Sequence, residues 1–369
     1  MASGQKETKQ LRHGYTTGSN ATAATKAALL SLITQKAVNE ATIKLPNKEI
    51  VTFQMESVQF TEQYAEAAII KDGGDDPDAT HGARIVSRVA WESAPGIKLD
   101  GGVGVGRVTK PGLPVAVGEA AINPVPRRML FEVAEDVLEE TGVEQGISII
   151  ISVPDGEEIA KKTLNSRLGI IGGISILGTR GTVVPFSTSA FRASIAQALQ
   201  VAKESGCEHV ICSTGGRSEK YAMELFPDAP EEAFIEMGDF VGFTLKQCKA
   251  KRMKQVTLVG MMGKFSKVAQ GVMMVHSKSA PVSFEFLAKV AAESGVPPEL
   301  QQEILRANTA SQVGTMLDEA GYADFFQRLC RYASEAGLQE VNGGLTIETI
   351  LLTMKNELLG REAVRWPRQ

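Results

Sequence analysis

Nowhere does the sequence contain the roughly 18 consecutive apolar residues of a membrane-spanning helix, so no membrane partner is expected. The first ten residues are polar and mixed in charge, lack the apolar stretch of a secretory signal, and read as a disordered lead-in to a cytoplasmic protein. Cysteine is rare: Cys207, Cys212, Cys248 and Cys330 form no Cys-x-x-Cys pair and have no His at finger spacing. They are expected to be buried, reduced thiols rather than metal ligands. His13, His81, His209 and His276 likewise show no metal-ligand spacing. Charge of one sign is missing too. A net charge of -4 and a pI near 5.8 give no general attraction to nucleic acid, which is excluded as the expected partner. Internal repeats and low-complexity stretches are absent, and no catalytic triad stands out.

What is present is glycine, 36 residues of it, in a chain of 369 residues whose aromatic content is only 6%. That length suits two cores. The pattern predicts an α+β first domain over residues 1–186, followed over residues 187–369 by an α/β second domain with a small parallel sheet and C-terminal helices. In the first half, an Ala-rich run over residues 19–33 follows capping residues and predicts a helix. Residues 41–45 and 49–53, separated by Pro46-Asn47-Lys48, predict a hairpin, and residues 65–71 a further strand. Gly and Pro make residues 101–118 loop and extended chain. An amphipathic helix is expected over 127–140, a buried strand over 146–153, a helix over 157–168 and a strand over 170–177. In the second half, strands at 209–212, 233–237 and 256–259 alternate with helices at 187–205, 218–225, 239–252 and 264–274. This alternation implies parallel pairing through crossovers, with ligands beyond the carboxyl ends of the strands. Helices fill 284–336, and residues 346–354 could return as a last strand.

Six segments carry residues suited to chemistry, each with a structural reading beside the functional one. Thr16-Thr17-Gly18 opens the Ala-rich helix; unpaired backbone N–H groups there suit a carboxylate, with Arg12 and Lys26 adding charge, or the hydroxyls simply cap the helix. The stretch Asp72-Gly-Gly-Asp75-Asp76-Pro-Asp78, with His81, offers carboxylates that could accept a proton, or it is a solvated acidic turn. Its spacing is not that of an EF-hand. Between Lys98 and Arg128, five cations (Lys98, Arg107, Lys110, Arg127, Arg128) face Asp100 and Glu119 around Gly102, Gly104 and Gly106. A bare-backbone loop beside cations suits a polycarboxylate, or it is a solvated basic loop. The sequence after Gly106 cannot open a helix, which rejects a dinucleotide fingerprint. The small-residue segment 169–185 allows close approach of either a backbone or a ligand. Finally, Ser213-Thr214-Gly215-Gly216 and Gly260-Met-Met-Gly263-Lys264 end predicted parallel strands. They read as the rim of a nucleoside site or as ordinary strand-to-helix turns. The first Gly of a phosphate-binding loop would fall at Leu258, which speaks against a phosphotransferase.

Several of these segments together resemble the cobalt-precorrin-5B C1-methyltransferase family. They are Gly14-Tyr-Thr-Thr-Gly18, Lys71-Asp-Gly-Gly-Asp-Asp-Pro-Asp78, residues 102–112, Glu119-Ala-Ala-Ile-Asn-Pro124, Gly172-Gly-Ile-Ser-Ile-Leu-Gly178, and Gly263-Lys264 through His276. Met261-Met262 and Val275-His276 depart from the usual family pattern. The resemblance implies S-adenosylmethionine as methyl donor, a cobalt tetrapyrrole rich in acetate and propionate arms as acceptor, and cobalt present only within that substrate. Carried onto this sequence, Asp75 and Asp76 are the expected catalytic carboxylates. Thr16, Thr17, Gly18, Lys26, Gly104, Gly106, Arg107 and Lys110 are expected at the acceptor. Ser213, Thr214, Gly215, Gly216, Gly260, Gly263 and Lys264 are expected at the donor. A non-catalytic tetrapyrrole carrier is the alternative, distinguished by lacking a donor site, and a homo-oligomer is left open.

Overall fold

The computed structural model describes residues 11–366, so the polar lead-in over residues 1–10 lies outside the described residues. The chain is mixed α/β with several small sheets and divides into two units, Met1–Thr188 and Ser189–Gln369.

The first unit is organised by a helix of small residues. Thr17–Thr34 is buried nearly all round, because Ala21, Ala24, Ala27 and Ala28 let its backbone approach its neighbours closely. It packs against the sheet and against a second helix, Pro124–Thr141. The hydroxyls it buries are satisfied locally: Thr22 and Ser31 donate to carbonyls one turn back, and Thr25 also meets Ser87 at 2.7 Å. The sheet runs Ser57–Phe60, Tyr64–Ile70, Arg84–Glu92, Gly146–Ser152, Ile97–Gly101, antiparallel except for the last pair. Ile85, Val89, Ile147, Ile149 and Ile151 supply its buried face. Glu40–Lys44 and Ile50–Gln54 form the expected hairpin.

Two expectations fail in this unit. The helix foreseen over 157–168 is only Gly156–Ala160. Thr163 turns its hydroxyl onto the Ala160 carbonyl and accepts the Asn165 N–H, so side-chain bonds replace further helical turns. The strand foreseen over 170–177 is broken at Gly172 (φ 86°) into Ile170–Ile171 and Gly173–Ile174. Each fragment clamps one piece of the glycine loop: Ile170–Ile171 pairs antiparallel with Arg107–Val108, and Gly173–Ile174 parallel with Gly104–Val105.

The second unit has a sheet ordered Phe234–Glu236, His209–Ser213, Gln255–Met261, Thr346–Leu352, Leu358–Arg365. The first three pairings are parallel and the last is antiparallel, with a bulge between Leu351 and Leu352. Gly216–Leu225 and Val241–Ala250 are helical segments of the crossovers, and the helices Phe284–Glu293, Pro298–Arg306, Ala310–Glu319 and Ala323–Glu340 follow. The helix expected over 264–274 is Met262–Val268, and Gly271 takes a left-handed φ of 84° just beyond it. No helix among the described residues is long and apolar enough to cross a membrane.

Candidate functional site

In the first unit the start of the alanine-rich helix is largely occupied by protein. The Thr16 side chain accepts the Ser19 N–H at 3.2 Å, and the Gly18 N–H donates to the Leu177 carbonyl at 3.0 Å. The Thr17 hydroxyl accepts the Leu177 N–H at 2.9 Å, and the Ser19 hydroxyl donates to the Gly181 carbonyl at 2.7 Å. Segment 175–181 is thus stitched onto the helix start. Gly178 is small for that reason, since a Cβ there would lie 2.3 Å from the Thr16 hydroxyl oxygen. Lys26 is not part of this group. Ten residues along the chain from Thr16, or roughly 15 Å of helix, its ammonium binds the Thr42 carbonyl of the hairpin at 3.0 Å.

The acidic turn spends its carboxylates inward. Arg12 pairs with Asp72, which also accepts the Gly74 N–H at 2.9 Å. The Arg12 hydrogen bond, helped by that N–H, lowers the Asp72 pKa to about 2. Asp75 accepts the Arg12 backbone N–H at 2.7 Å, and Asp76 accepts the Phe186 N–H at 2.9 Å. His81 accepts the Gly73 N–H at 3.0 Å. Asp75 and Asp76 therefore tie the turn to residues 12 and 186.

Asp78 has a different partner, one not singled out by the sequence reading. Lys71, at the end of Tyr64–Ile70 and only 2% exposed, forms an ion pair with it. Burial alone would raise the Asp78 pKa, but hydrogen bonds from Lys71 and Thr80 outweigh it and hold the carboxyl below its ordinary value. This pair lines a cavity of about 230 Å³ together with Thr16, Thr17, Asn165 and Ser175. The sequence signal was a lone lysine directly following the apolar run Ala67-Ala-Ile-Ile70.

Around the glycine loop, packing accounts for the small residues and pairing for the charges. A Cβ at Gly104, whose φ is +71°, would lie 1.8 Å from the Val153 carbonyl oxygen, and one at Gly106 would lie 2.4 Å from Ile170. Arg107 binds Asp100 at 2.7 Å, and this hydrogen bond is the main cause of the lowered Asp100 pKa. Lys98 pairs with Glu92, and Arg127 with Glu119. The alkyl stem of Lys110 lies over Gly169. These pairs are largely solvent-exposed, so each contributes little and yields readily to a competing anion. Beside them runs a groove of about 550 Å³ lined by Val115, Glu119, Arg127, Arg128 and Phe131 among others.

In the second unit the predicted donor residues converge. His209–Ser213 has Phe234–Glu236, the next strand in sequence, on one side and Gln255–Met261 on the other. The chain thus reverses direction across the sheet between Ser213 and Met261, the kind of crevice where open α/β sheets bind ligands. Lys264 spans it, donating to the Thr214 carbonyl at 3.0 Å and pairing with Asp239 at 3.0 Å. The Asp239 contact is one of charge, without hydrogen-bond alignment. The Ser213 hydroxyl is buried with no hydrogen-bond partner among the described residues. Gly260 sits under the Phe265 ring, 2.0 Å from where its Cβ would be, whereas Cβ atoms at Gly215, Gly216 and Gly263 would meet nothing within 4 Å. Asp239 is the contributor that sequence reasoning missed.

Comparison with known proteins finds consistent relatives. The family model described as CbiD matches residues 4–185, and that described as CbiD, C-terminal domain, matches residues 274–363. The chain is 65% identical over 357 residues to the cobalt-precorrin-5B C(1)-methyltransferase of Geobacillus sp. (strain WCH70), covering 97% of this chain and 98% of that protein. Identity to the protein of the same name from Priestia megaterium is 63%, covering 96% and 97% of the two chains. A 1.9 Å crystal structure of the cobalamin biosynthesis protein (cbiD) from Archaeoglobus fulgidus is 31% identical, covering 69% of this chain and 78% of that one, with a TM-score of 0.39.

Proposed function

Since this chain belongs to the CbiD family, we propose a division of its methyl-transfer chemistry between the two glycine-bearing regions described above. The reaction is methylation of C1 of cobalt-precorrin-5B, as in the relatives at 63% and 65% identity. We assign the product as cobalt-precorrin-6A and the donor as S-adenosylmethionine, which supplies the methyl group from its sulfonium when bound. Methyl transfer needs donor and ring carbon in line, so holding the two reactants is the protein's main task.

The donor site in this reading is the crevice of the second unit. The observation that carries it is that Gly216 and Gly263 are bare with neither a neighbouring protein atom nor a left-handed φ requiring it. A nucleoside lying against these loops would find the start of Gly216–Leu225, the Ser213 hydroxyl and the Lys264 ammonium. The acceptor is assigned to the first unit, where the exposed Arg107 and the cation of Lys110 offer charge to its acidic arms, and Gly104 and Gly106 shape the loop that carries them. Thr16, Thr17 and Gly18 build the adjoining helix start. Asp75 and Asp76 serve as builders of the turn that bears Asp78, since both carboxylates already accept backbone N–H groups. The test is anaerobic incubation of the full chain with cobalt-precorrin-5B and S-adenosylmethionine. The tetrapyrrole should gain the mass of one methyl group, and an unchanged mass where a relative adds one would defeat the assignment.

A further inference from the structure

Among the described residues, Lys71 is the one ammonium of the first unit that is almost wholly removed from water, at 2% exposure, and Asp78 is its one hydrogen-bond partner. An ammonium has three N–H donors. A buried charge usually has them satisfied, because leaving donors unmet in a low-dielectric site is costly. Asp78, by contrast, has most of its acceptor positions taken: one oxygen takes Lys71, and the other accepts both the N–H and the hydroxyl of Thr80, at 2.7 and 2.6 Å. The spare capacity of this pair therefore lies on the cation. Both side chains line the 230 Å³ cavity, which also has hydroxyl and amide groups from Thr16, Thr17, Ser175 and Asn165.

The cavity is below the roughly 300 Å³ at which pockets take whole small-molecule ligands. It has room for one arm of a larger molecule. A cationic donor with unmet N–H bonds, ringed by hydroxyls, fits a carboxylate. We propose that this cavity is a carboxylate subsite, in which Lys71 binds a single acidic arm while Asp78 holds the lysine in place. The ligand's identity rests on the methyl-transfer reading, which offers two sources of such an arm: an acetate or propionate of the macrocycle, and the amino-acid carboxylate of the methyl donor.

Two variants of the full chain test it. Lys71→Met removes the ammonium; Ala79→Trp, at an exposed position on the cavity lining, adds bulk there while keeping both residues of the ion pair. The first probe is propanoate alone. Against an equal concentration of chloride it should raise the Tm of the natural chain, and the rise should vanish in Ala79→Trp even if Lys71→Met folds poorly. No rise in the natural chain overturns the subsite whether or not the protein methylates, so this result is separable from failure of the methyltransferase reading, which natural-chain turnover reports. Calorimetry then identifies the source. Weakening of cobalt-precorrin-5B binding by roughly 10- to 100-fold, the loss expected for one charged hydrogen bond, with S-adenosylhomocysteine unaffected, assigns the macrocycle arm. The reverse pattern assigns the donor's carboxylate. If neither affinity changes in the folded Ala79→Trp variant, the proposal is overturned.

Discussion

A Cβ added at Gly104 in the first unit would lie 1.8 Å from a backbone oxygen, while one added at Gly263 in the second would meet no atom within 4 Å. Both glycines belong to segments that look alike in sequence, small residues flanked by cations. In the first unit the absence of a side chain is explained by the protein: backbone lies against backbone, carboxylates hold N–H groups, and arginines hold carboxylates. In the second, Gly260 is explained in the same way by the Phe265 ring, but Gly216 and Gly263 are not, because they face space. A glycine-rich motif thus has two physical origins, internal closeness and clearance for a ligand, and only the surroundings separate them.

The largest expected effect breaks the fold of the first unit. Gly104→Ala should cost on the order of 3 kcal/mol, since the new methyl group can neither fit nor relax away from the Val153 carbonyl and the φ of +71° adds strain. Denaturant unfolding followed through Trp91, which lies in the first-unit sheet, should show a lowered midpoint. An unchanged midpoint would undo the packing explanation. Gly263→Val should do the opposite. Its unfolding should shift by no more than about 0.5 kcal/mol, as exposed substitutions usually do, while calorimetry shows S-adenosylhomocysteine binding weakened at least tenfold. Retained affinity would move the donor away from this crevice.

Smaller effects concern the acids. Asp75→Asn and Asp76→Asn keep an acceptor for the Arg12 and Phe186 N–H groups, so turnover should stay within about tenfold of the natural chain. A loss of roughly two orders of magnitude or more, the range for a general base, would return a proton-transfer role to that residue. The least effect is expected at Asp72. Its pKa is depressed from 3.8 to about 2, so the stability it adds is present above pH 3.8 and is lost as the pH falls through about 2. The side chain is 43% exposed, so solvent screening keeps that gain well under 1 kcal/mol. Acid titration of Asp72→Asn should lack that small component between these pH values, and the difference should shrink further in high salt. An acid profile identical to that of the natural chain at low salt would contradict the Arg12 pairing.

Much of the fold was legible where periodicity and local chemistry agree. The Ala-rich run became Thr17–Thr34, the Pro-Asn-Lys turn joined a hairpin, and the alternation after residue 205 gave parallel strands. The failures occurred where side-chain bonds or pairing partners decided. Residues 157–168 have helical composition, but Thr163 competes for the backbone. The strand Leu358–Arg365 alternates charge and apolar character weakly, and its place depends on Thr346–Leu352 being beside it. Arg84–Glu92, the central strand between Tyr64–Ile70 and Gly146–Ser152, was likewise not foreseen. At the candidate site, the residues proposed for the donor could be grouped in advance because strand ends are readable from the alternation. Lys71 and Asp78 were in view, yet nothing in the sequence ranked Asp78 above Asp75 and Asp76, because burial separates those carboxylates and burial is a property of the folded chain.

The pairing of Gln255 with Thr346 also bears on how the molecule is made. The first unit's five-stranded sheet has all its strands once Ser152 is synthesised. The strand Gln255–Met261, by contrast, must wait for five further helices to be translated before its second neighbour exists. At typical synthesis rates of about 5–20 residues per second, that leaves an apolar parallel edge unpaired for several seconds. The nascent chain is therefore most open to intermolecular strand pairing while residues 262–345 are emerging, and a folding chaperone would find its binding surface there.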